Sequence, residues 1–322
     1  MISKLRKEFL EYLESVVKVK EPTNLYEPIE YILKLGGKRM RPVLTLMSAD
    51  LFGVDFYAAM NAAMAVEVFH NFTLVHDDIM DDAPLRRGKV TVHEKWNPNI
   101  GILSGDAMMI SGYQYLETYD PEVFKKLVQV FSKTAIEVCE GQQMDVDFET
   151  RADVKIEEYL KMIGLKTSVL VGCALKMGAI VAKTSEENAQ LIYNFGLNLG
   201  LAFQLQDDYL DTYGDPITFG KVIGGDIMEN KKTFLYLVAI RDCNEEDHMI
   251  LLDLYSEKRA DNKDKIRAVK RIFSQYEIPR IIKTEIEIYT QKAFECLDLI
   301  AISKSKKVAL KEFGNSLMQR DV

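Results

Sequence analysis

The sequence has 322 residues, of which 48% are hydrophobic, and a net charge of −8. This apolar content is enough for one large core or two ordinary domains. The acidic balance argues against a general nucleic-acid-binding surface. The four cysteines, Cys139, Cys173, Cys243 and Cys296, show no close pairing, which predicts reduced thiols in an intracellular protein and neither a disulfide framework nor a zinc site.

The first 20 residues mix charged and apolar side chains at helical spacing and show no signal peptide. No run of 18 apolar residues occurs anywhere in the sequence. We therefore expect a soluble, cytoplasmic protein without a transmembrane segment.

Most of the chain has the period of an amphipathic helix, and runs of alternating β-branched residues are missing. Residues 43 to 80 are apolar almost all round, which predicts a buried helix pair. Further helices are predicted at 102–119, 122–144, 155–181, 186–211 and 231–241. We interpret the charged segment 241–265 as solvated helix ends and loop. The pattern indicates an all-α bundle of many helices, and because no linker divides the chain we expect a single domain over 1–322.

A basic turn, Gly36-Gly37-Lys38-Arg39-Met40-Arg41-Pro42, precedes the buried helix pair. Its glycines let the backbone approach a ligand closely, and Pro42 suits the first turn of a helix. Cations around a helix N-terminus favour an anion. An exposed basic turn without a ligand is the alternative.

Two copies of one acidic motif, Asp-Asp-x-x-Asp, stand at residues 77–81 and 207–211. Neighbouring Pro84 and Gly214-Asp215-Pro216 place both motifs at or near helix C-termini, where carboxylates oppose the helix dipole. Carboxylates repel one another within each of the two copies, which indicates a bound cation. Oxygen ligands without Cys or His favour Mg²⁺.

The first motif is followed by Arg86-Arg87-Gly88-Lys89. Guanidinium groups bind phosphate through two parallel hydrogen bonds, so acids beside arginines suit a metal–diphosphate complex. A salt-bridge cluster at a helix end is the alternative.

The second motif is followed by glycines and lysines over 213–233, which predict a loop that closes over a phosphate and excludes water. An ordinary surface loop would have a similar composition. His70 stands two turns before Asp77 on the same helix face, Gln204 one turn before Asp208, and Lys166-Thr167 within an apolar helix.

In combination these motifs resemble the trans-prenyltransferases, the isoprenyl diphosphate synthase (polyprenyl synthetase) family, over essentially the whole chain. The segments that carry the resemblance are 37–42, 70, 74–81, 86–88, 166–167, 203–211, 220–221, 225–226 and 231. The first motif has the short form, without the two extra residues that some members carry. The resemblance implies the isoprenoid synthase fold and a homodimer, in which each subunit has a central cavity with the two Asp motifs facing each other at its mouth.

The resemblance also implies the roles of individual residues. Asp77, Asp81 and Asp207 would bind Mg²⁺, about three ions per site, with Asp78 and Asp211 in support. The implied catalytic residues are Asp77, Asp78, Asp81, Asp207, Asp208, Asp211, Lys166 and Lys221. The residues implied to bind isopentenyl diphosphate are Lys38, Arg41, His70 and Arg87. Those implied to bind the allylic diphosphate are Arg86, Lys166, Thr167, Gln204, Lys221 and Lys231.

The implied reaction joins isopentenyl diphosphate to an allylic diphosphate, such as the dimethylallyl, geranyl or farnesyl ester. Metal and cations stabilise the departing pyrophosphate. C4 of isopentenyl diphosphate attacks the allylic carbocation in an apolar cavity, and a proton then leaves C2. We expect the released pyrophosphate to be the base, because no protein carboxylate outside the metal-binding set is an obvious candidate.

Product length is expected to depend on Phe72 and Thr73. They lie five and four residues before Asp77, roughly 6–7.5 Å deeper along the helix. Long-chain members of the family carry small residues at the Phe72 position, so Phe72 predicts a short product, C15 or C20.

Three alternatives remain at this point. A long-chain polyprenyl diphosphate synthase for quinone side chains is disfavoured by Phe72. A terpene cyclase usually has a different second metal motif and does not need the Lys38–Arg41 turn. A non-catalytic subunit of a heteromeric synthase often loses one acidic motif, whereas this chain keeps both.

Overall fold

The structure is a computed structural model that describes residues 1–215, 223–256 and 262–318. Its described residues form helices apart from turns and one two-stranded hairpin, so the predicted all-α fold is confirmed. The chain divides into two compact units. Unit 1 comprises Met1–Lys133 and Cys173–Tyr193, and unit 2 comprises Thr134–Gly172 and the chain from Asn194 onward. The single domain stays a prediction.

The first half of the chain contains the helices that carry the first Asp motif. They are α1 (Ile2–Val16), α2 (Thr23–Lys34), α3 (Met40–Leu51), a short 3₁₀ turn (Phe56–Ala59), α4 (Met60–Met80), α5 (Val92–Lys95), α6 (Pro98–Leu116) and α7 (Pro121–Thr150). The hairpin strands β1 (Leu85–Arg86) and β2 (Lys89–Val90) lie between α4 and α5 and pair antiparallel.

The second half begins with α8 (Ile156–Ile163), a π-helical turn (Gly164–Ser168) and α9 (Val169–Val181). The remaining helices are α10 (Glu186–Tyr213), α11 (Gly225–Met228), α12 (Phe234–Asp242), α13 (Glu245–Ser256), α14 (Asn262–Gln275), α15 (Ile278–Leu299) and α16 (Lys304–Met318). The predicted helices therefore form, with ends that differ by up to six residues and with a π-helical turn inside the predicted helix 155–181.

The core of unit 1 surrounds α4. Residues 62–69 of this helix are buried on every side, as its all-round apolar pattern predicts. On α1 only one stripe, Leu5, Phe9 and Leu13, is buried, so this helix lies on the outside of the unit. The buried helix α4 is thus a firm support for the acidic residues at its C-terminal end.

The core of unit 2 is a continuous hydrophobic cluster that includes Tyr159 of α8, Leu205 and Tyr209 of α10, and Phe234 of α12. The segment 241–265 was interpreted above as helix ends and loop, and the structure differs from that interpretation. The segment contains helix α13, and Leu251 and Leu254 are buried in the cluster. The dense charge of the segment concealed these apolar positions.

Within the part of the chain that the structure describes, one helical stretch is long and apolar enough to cross a membrane. It is Ile156–Val181. The 18-residue stretch of this helix that meets the test has a mean hydropathy of 1.5, and 72% of that stretch is buried within the protein. Such burial is typical of the core helix of a soluble protein. Cytoplasmic location stays a prediction.

Gly178 of α9 marks a close approach of two helices in unit 1. A Cβ at this position would lie 2.2 Å from the Thr45 carbonyl oxygen and 2.8 Å from the Ser48 Cβ. We expect Gly178→Ala to lower the free energy of unfolding by about 1–3 kcal/mol, because backbone must move to admit the methyl group. Urea denaturation measures this. The matched control is Gly164→Ala, where the nearest contact is 3.7 Å away; an equal loss in both variants would contradict the steric explanation.

Candidate active site

The first Asp motif lies at the C-terminal end of α4, as predicted. The Asp81 amide donates to the Asp77 carbonyl at 2.9 Å, so these two residues are one helical turn apart. Asp81 is exposed and Asp77 half-buried, whereas Asp78 between them is buried. The two outer carboxylates of the motif are therefore partly or fully exposed to solvent, whereas the middle one is not.

Arg86 of β1 holds the middle carboxylate of this motif. Its Nε lies 2.8 Å from each oxygen of Asp78, and Nη2 lies 2.6 Å from Oδ1. A bidentate pair with a buried carboxylate fixes both groups more firmly than an exposed ion pair does. The hairpin is thereby attached to the end of α4.

The hairpin turn directs the next arginine toward the basic turn. Arg87 and Gly88 both have positive φ, at 54° and 72°, as a type I′ turn requires. The Arg87 guanidinium donates to the Gly36 carbonyl. A Cβ on Gly37 would be 2.8 Å from the Arg87 Cζ, so only glycine leaves room for this contact.

The basic turn itself is held from inside by Arg39, which has a φ of 53°. Arg39 is buried, and its guanidinium donates to the buried Glu67 carboxylate and to the Leu33 carbonyl. Asn71 also donates to Glu67, at 3.0 Å. Removing one partner of a buried charge pair is strongly destabilising, so these contacts hold the shape of the turn.

Three of the four residues predicted to bind isopentenyl diphosphate come together in unit 1. The Nη1 of Arg41 and the Nε2 of His70 are 3.1 Å apart. Burial lowers the pKa of Arg41 to about 10, an effect that Glu67 opposes and Arg87 reinforces. Lys38 is exposed on the same turn.

The pKa of His70 reflects its burial and the positive charge of this cluster. Burial and then the nearby guanidiniums hold the pKa of His70 well below its ordinary value of 6.5. The cations responsible are Arg41, Arg87, Arg86 and Arg39. The imidazole is therefore neutral at pH 7 and lies in a strongly positive field, which an anionic ligand would relieve.

The second Asp motif lies at the end of α10 in unit 2. Its middle residue, Asp208, is buried and accepts a hydrogen bond from the Tyr159 hydroxyl. Burial, followed by the charge of Asp226, raises the pKa of Asp208 well above its ordinary value. As in the first motif, the middle carboxylate is bound by a protein donor.

The third residue of this motif, Asp211, holds the segment that follows. Its carboxylate accepts the Asp226 amide at 3.0 Å, and its carbonyl accepts the Gly224 amide at 2.6 Å. Helix α11 is thus attached to the acidic motif. Lys231 follows α11 and lies 3.0 Å from Glu229 and 3.9 Å from Asp226. Burial lowers the pKa of Lys231, but these two carboxylates outweigh it and raise the pKa overall.

Lys166 and Thr167 lie in the π-helical turn, a rare conformation that is frequent at functional sites. Two glycines of neighbouring helices pack closely against the backbone of this turn. A Cβ on Gly141 would be 2.2 Å from the Lys166 amide nitrogen, and one on Gly200 would be 2.7 Å from the Ser168 Cα. The Lys166 ammonium pairs with Asp145 at 2.6 Å.

A hydrogen-bond chain joins this turn to the second Asp motif. The Thr167 hydroxyl donates to Gln204 at 3.4 Å, and the Gln204 amide lies 3.5 Å from Asp208. The structure therefore brings together, within unit 2, most of the residues predicted to bind the allylic diphosphate. Arg86 lies in unit 1, and Lys221 lies outside the described residues.

The predicted chain-length residues lie on α4 within an aromatic group. The Phe72 ring is 5.4 Å from the Phe69 ring and 4.8 Å from the His76 ring, centroid to centroid. Phe69 in turn packs against Phe131 at 5.3 Å. The Thr73 hydroxyl donates to the His70 carbonyl at 2.8 Å, a side-chain to backbone bond within α4.

Sequence reasoning missed the partners that hold these residues, namely Arg39 and Glu67 in unit 1 and Asp145 and Tyr159 in unit 2. Asp145 follows Gly141 by one turn, one residue beyond the predicted helix 122–144, and a glycine inside a helical pattern is a signal of close packing that could have indicated it. For Glu67, a lone acid within the apolar run before the motif was the available signal.

The donor set suits Mg²⁺. The middle carboxylates, Asp78 and Asp208, are bound by Arg86 and Tyr159. Asp77 and Asp81, one helical turn apart, supply carboxylate oxygens alone, and these are the ligands that Mg²⁺ prefers. Asp207, half-buried on α10, supplies the same type of donor. Their role as ligands stays a prediction.

Comparison with known proteins identifies the family. Residues 22–273 match the polyprenyl synthetase family. A geranylgeranyl diphosphate synthase of Saccharolobus solfataricus is 38% identical over 92% of this chain and 90% of its own. A geranylfarnesyl diphosphate synthase of Natronomonas pharaonis is 39% identical over 69% of this chain and 70% of its own. A crystal structure of a geranylgeranyl pyrophosphate synthase superposes with a TM-score of 0.96 at 54% identity, covering 100% of this chain and 99% of the other.

The chain therefore belongs to the polyprenyl synthetase family and has its all-α isoprenoid synthase fold. The prediction of a prenyltransferase is confirmed.

The lowered pKa of His70 predicts a pH dependence of stability. Below about pH 6.5 the unfolded chain binds a proton on this imidazole more readily than the folded protein does, so stability is present above that pH and is lost as the pH falls. We expect the wild type to lose free energy of unfolding relative to His70→Gln between about pH 7.5 and 5.5. Urea denaturation at each pH measures the difference.

The matched variant is Arg41→Gln, which removes the cation nearest to His70. In the Arg41→Gln background, His70→Gln should change the pH dependence of the free energy of unfolding less than it does in the wild type. A wild type that gains stability over His70→Gln on acidification would contradict the electrostatic account.

Proposed function

We propose that this protein catalyses the Mg²⁺-dependent 1′-4 condensation of isopentenyl diphosphate with an allylic diphosphate, releasing pyrophosphate and giving a short all-trans product. The observation that supports this most is the cluster of Arg41, His70 and Arg87 beside an acidic motif whose middle carboxylate is already bound by Arg86. Guanidiniums can bind one diphosphate directly, and carboxylates can bind the other through Mg²⁺. Unit 1 contains residues of both kinds.

The basic cluster is proposed to bind isopentenyl diphosphate. Arg41 and Arg87 are rigidly placed, since Arg39 and Glu67 fix the turn from inside and the Gly36 carbonyl fixes Arg87. Preformed guanidinium positions reduce the entropy lost when a diphosphate binds. The phosphate oxygens would receive the hydrogen bonds, and their charge would offset the repulsion among these cations.

The acidic motifs are proposed to bind the allylic diphosphate through about three Mg²⁺ ions, with Asp77, Asp81 and Asp207 as ligands. When bound, these ions neutralise charge that develops on the departing pyrophosphate. Lys166, Lys231 and Lys221 would add direct contacts to its oxygens. Lys166 and Lys231 are held by Asp145 and Glu229, so they are positioned before substrate arrives.

The buried carboxylate Asp208 is proposed to position other groups. Its hydrogen bonds run to Tyr159 and, through Gln204, toward Thr167 of the π-helical turn. This chain would keep Gln204 and Thr167 oriented toward the allylic diphosphate. The proton lost from C2 is proposed to leave on the released pyrophosphate.

We propose geranylgeranyl diphosphate, the C20 compound, as the main product. Relatives named geranylgeranyl diphosphate synthase favour C20 over C15, and Phe72 in its aromatic group is a bulky residue where a long chain would need space. The relative named geranylfarnesyl diphosphate synthase makes C25 the nearest alternative. We further propose that the protein is a cytoplasmic homodimer.

Removal of a metal ligand should abolish condensation. Asp81→Asn is expected to lower kcat by about a hundredfold or more, because the Mg²⁺ that Asp81 would hold stabilises the transition state by several kcal/mol. The assay supplies labelled isopentenyl diphosphate with farnesyl diphosphate, and with Mg²⁺ or a chelator. Asp50→Asn, an exposed aspartate on α3, is the matched control and should keep wild-type activity. Wild-type elongation that is unchanged in chelator would refute metal dependence.

Replacing Phe72 should lengthen the product. We expect Phe72→Ala to shift the chain length to C25 or longer, because the ring that packs against Phe69 and His76 is removed. Phe195→Ala in unit 2 removes a similar buried ring and should leave the product length unchanged. Chromatography of the dephosphorylated alcohols measures this. An unchanged distribution in Phe72→Ala would place the determinant elsewhere.

A further inference from the structure

We propose that Asp82, His93 and Glu94 form a second metal site, for a transition-metal ion such as Zn²⁺, separate from the Mg²⁺ ligands. All three residues lie in unit 1, and one ligand atom from each lies within 4.8 Å of the other two. None of the three is among the residues assigned above to substrate or Mg²⁺.

His93 is the observation that points to a ligand. It is 7% exposed, and neither ring nitrogen has a hydrogen-bond partner. A buried imidazole without partners costs free energy, and such groups are rare in folded proteins. Its Nε2 lies 3.7 Å from Glu94 Oε1, too far for a hydrogen bond but close to the separation of two ligands on one ion.

The local fold brings the three side chains together. Asp82 follows the end of α4 with a φ of 48°. The loop after it is closed by Thr91, whose hydroxyl donates to the Ala83 carbonyl at 2.8 Å and whose amide donates to the Pro84 carbonyl at 3.2 Å. Thr91 directly precedes α5, so His93 and Glu94 begin their short helix beside Asp82.

Helix α6 packs against both segments that carry the proposed ligands. A Cβ on Gly101 would be 2.9 Å from the Ile79 Cδ1, near the end of α4, and 3.8 Å from the His93 Cβ. His93 therefore approaches α6 at its Cβ, whereas Asp82 and Glu94 are exposed.

One imidazole and two carboxylates suit zinc better than magnesium. Imidazole is a ligand for Zn²⁺ and its neighbours in the transition series, and Mg²⁺ prefers oxygen donors throughout. Ligand bonds of about 2.0–2.2 Å in a tetrahedral shell place the donor atoms about 3.4 Å apart. Small rotations of the two exposed carboxylates would reach this spacing, and water would take the fourth position.

An ion at this site would join the end of α4 to the start of α5. The segment that it closes, residues 83–92, carries the hairpin with Arg86 and Arg87. The ion would therefore hold this hairpin in place and stabilise unit 1 without taking part in the reaction.

Equilibrium dialysis with Zn²⁺ alone as the probe tests the proposal. The full chain is first stripped with chelator, and excess Mg²⁺ is present to occupy the all-oxygen sites. We expect the wild type to bind one Zn²⁺ more than His93→Gln. The double variant Asp82→Asn/Glu94→Gln changes exposed residues only and should weaken Zn²⁺ binding at least tenfold, since even outer partners of a ligand contribute tenfold or more.

His248→Gln is the matched control, because it removes a histidine of unit 2 that contacts the Ile240 carbonyl. It should bind Zn²⁺ as the wild type does. Cys139→Ser in all proteins removes the exposed thiol as a competing ligand. A wild type without the additional ion, or equal binding by the wild type and the Asp82→Asn/Glu94→Gln variant, would overturn the proposal. Condensation activity is not the readout, so failure here is distinguishable from failure of the proposed function.

Discussion

Repulsion between like charges is the constraint on which the rest of this site depends. Several guanidiniums lie close to one another around the neutral His70, and Asp208 lies near Asp226 and Asp207. In water such groups would separate. Here the backbone and the buried core hold them together, so each cluster would favour a ligand of opposite charge.

Internal partners make this concentration of charge tolerable. Glu67 offsets part of the positive cluster, and Tyr159 stabilises the Asp208 carboxyl by a hydrogen bond. In both acidic motifs it is the middle carboxylate that binds a protein donor, Arg86 in one and Tyr159 in the other. The middle aspartate of each motif therefore has a structural partner, whereas Asp77, Asp81 and Asp207 offer the type of donor that suits a metal.

The sequence predicted the helices and the ends of α4 and α10 at the acidic motifs. These features follow from local periodicity and from the turn-forming residues next to the motifs. The grouping of His70 with the basic turn was implied only by the family resemblance, because Arg41 and His70 are 29 residues apart in sequence. The partners of the site residues did not follow. Arg39 pairs with Glu67 across 28 residues of sequence, and Lys166 with Asp145 across 21, so only the tertiary structure shows them. The π-helical turn at Lys166 likewise depends on packing against Gly141 and Gly200, which no periodicity reveals.

Binding of isopentenyl diphosphate in the absence of metal tests the central claim most directly. Isothermal titration calorimetry in chelator should show binding to the wild type and at least a tenfold loss of affinity in Arg87→Gln, because that guanidinium is fixed on the Gly36 carbonyl in the basic cluster. An unreactive allylic diphosphate analogue, which cannot lose its diphosphate to form a carbocation, should bind only when Mg²⁺ is restored. If isopentenyl diphosphate also required Mg²⁺, or bound Arg87→Gln as tightly as the wild type, the basic cluster would not be its site and the account would be wrong.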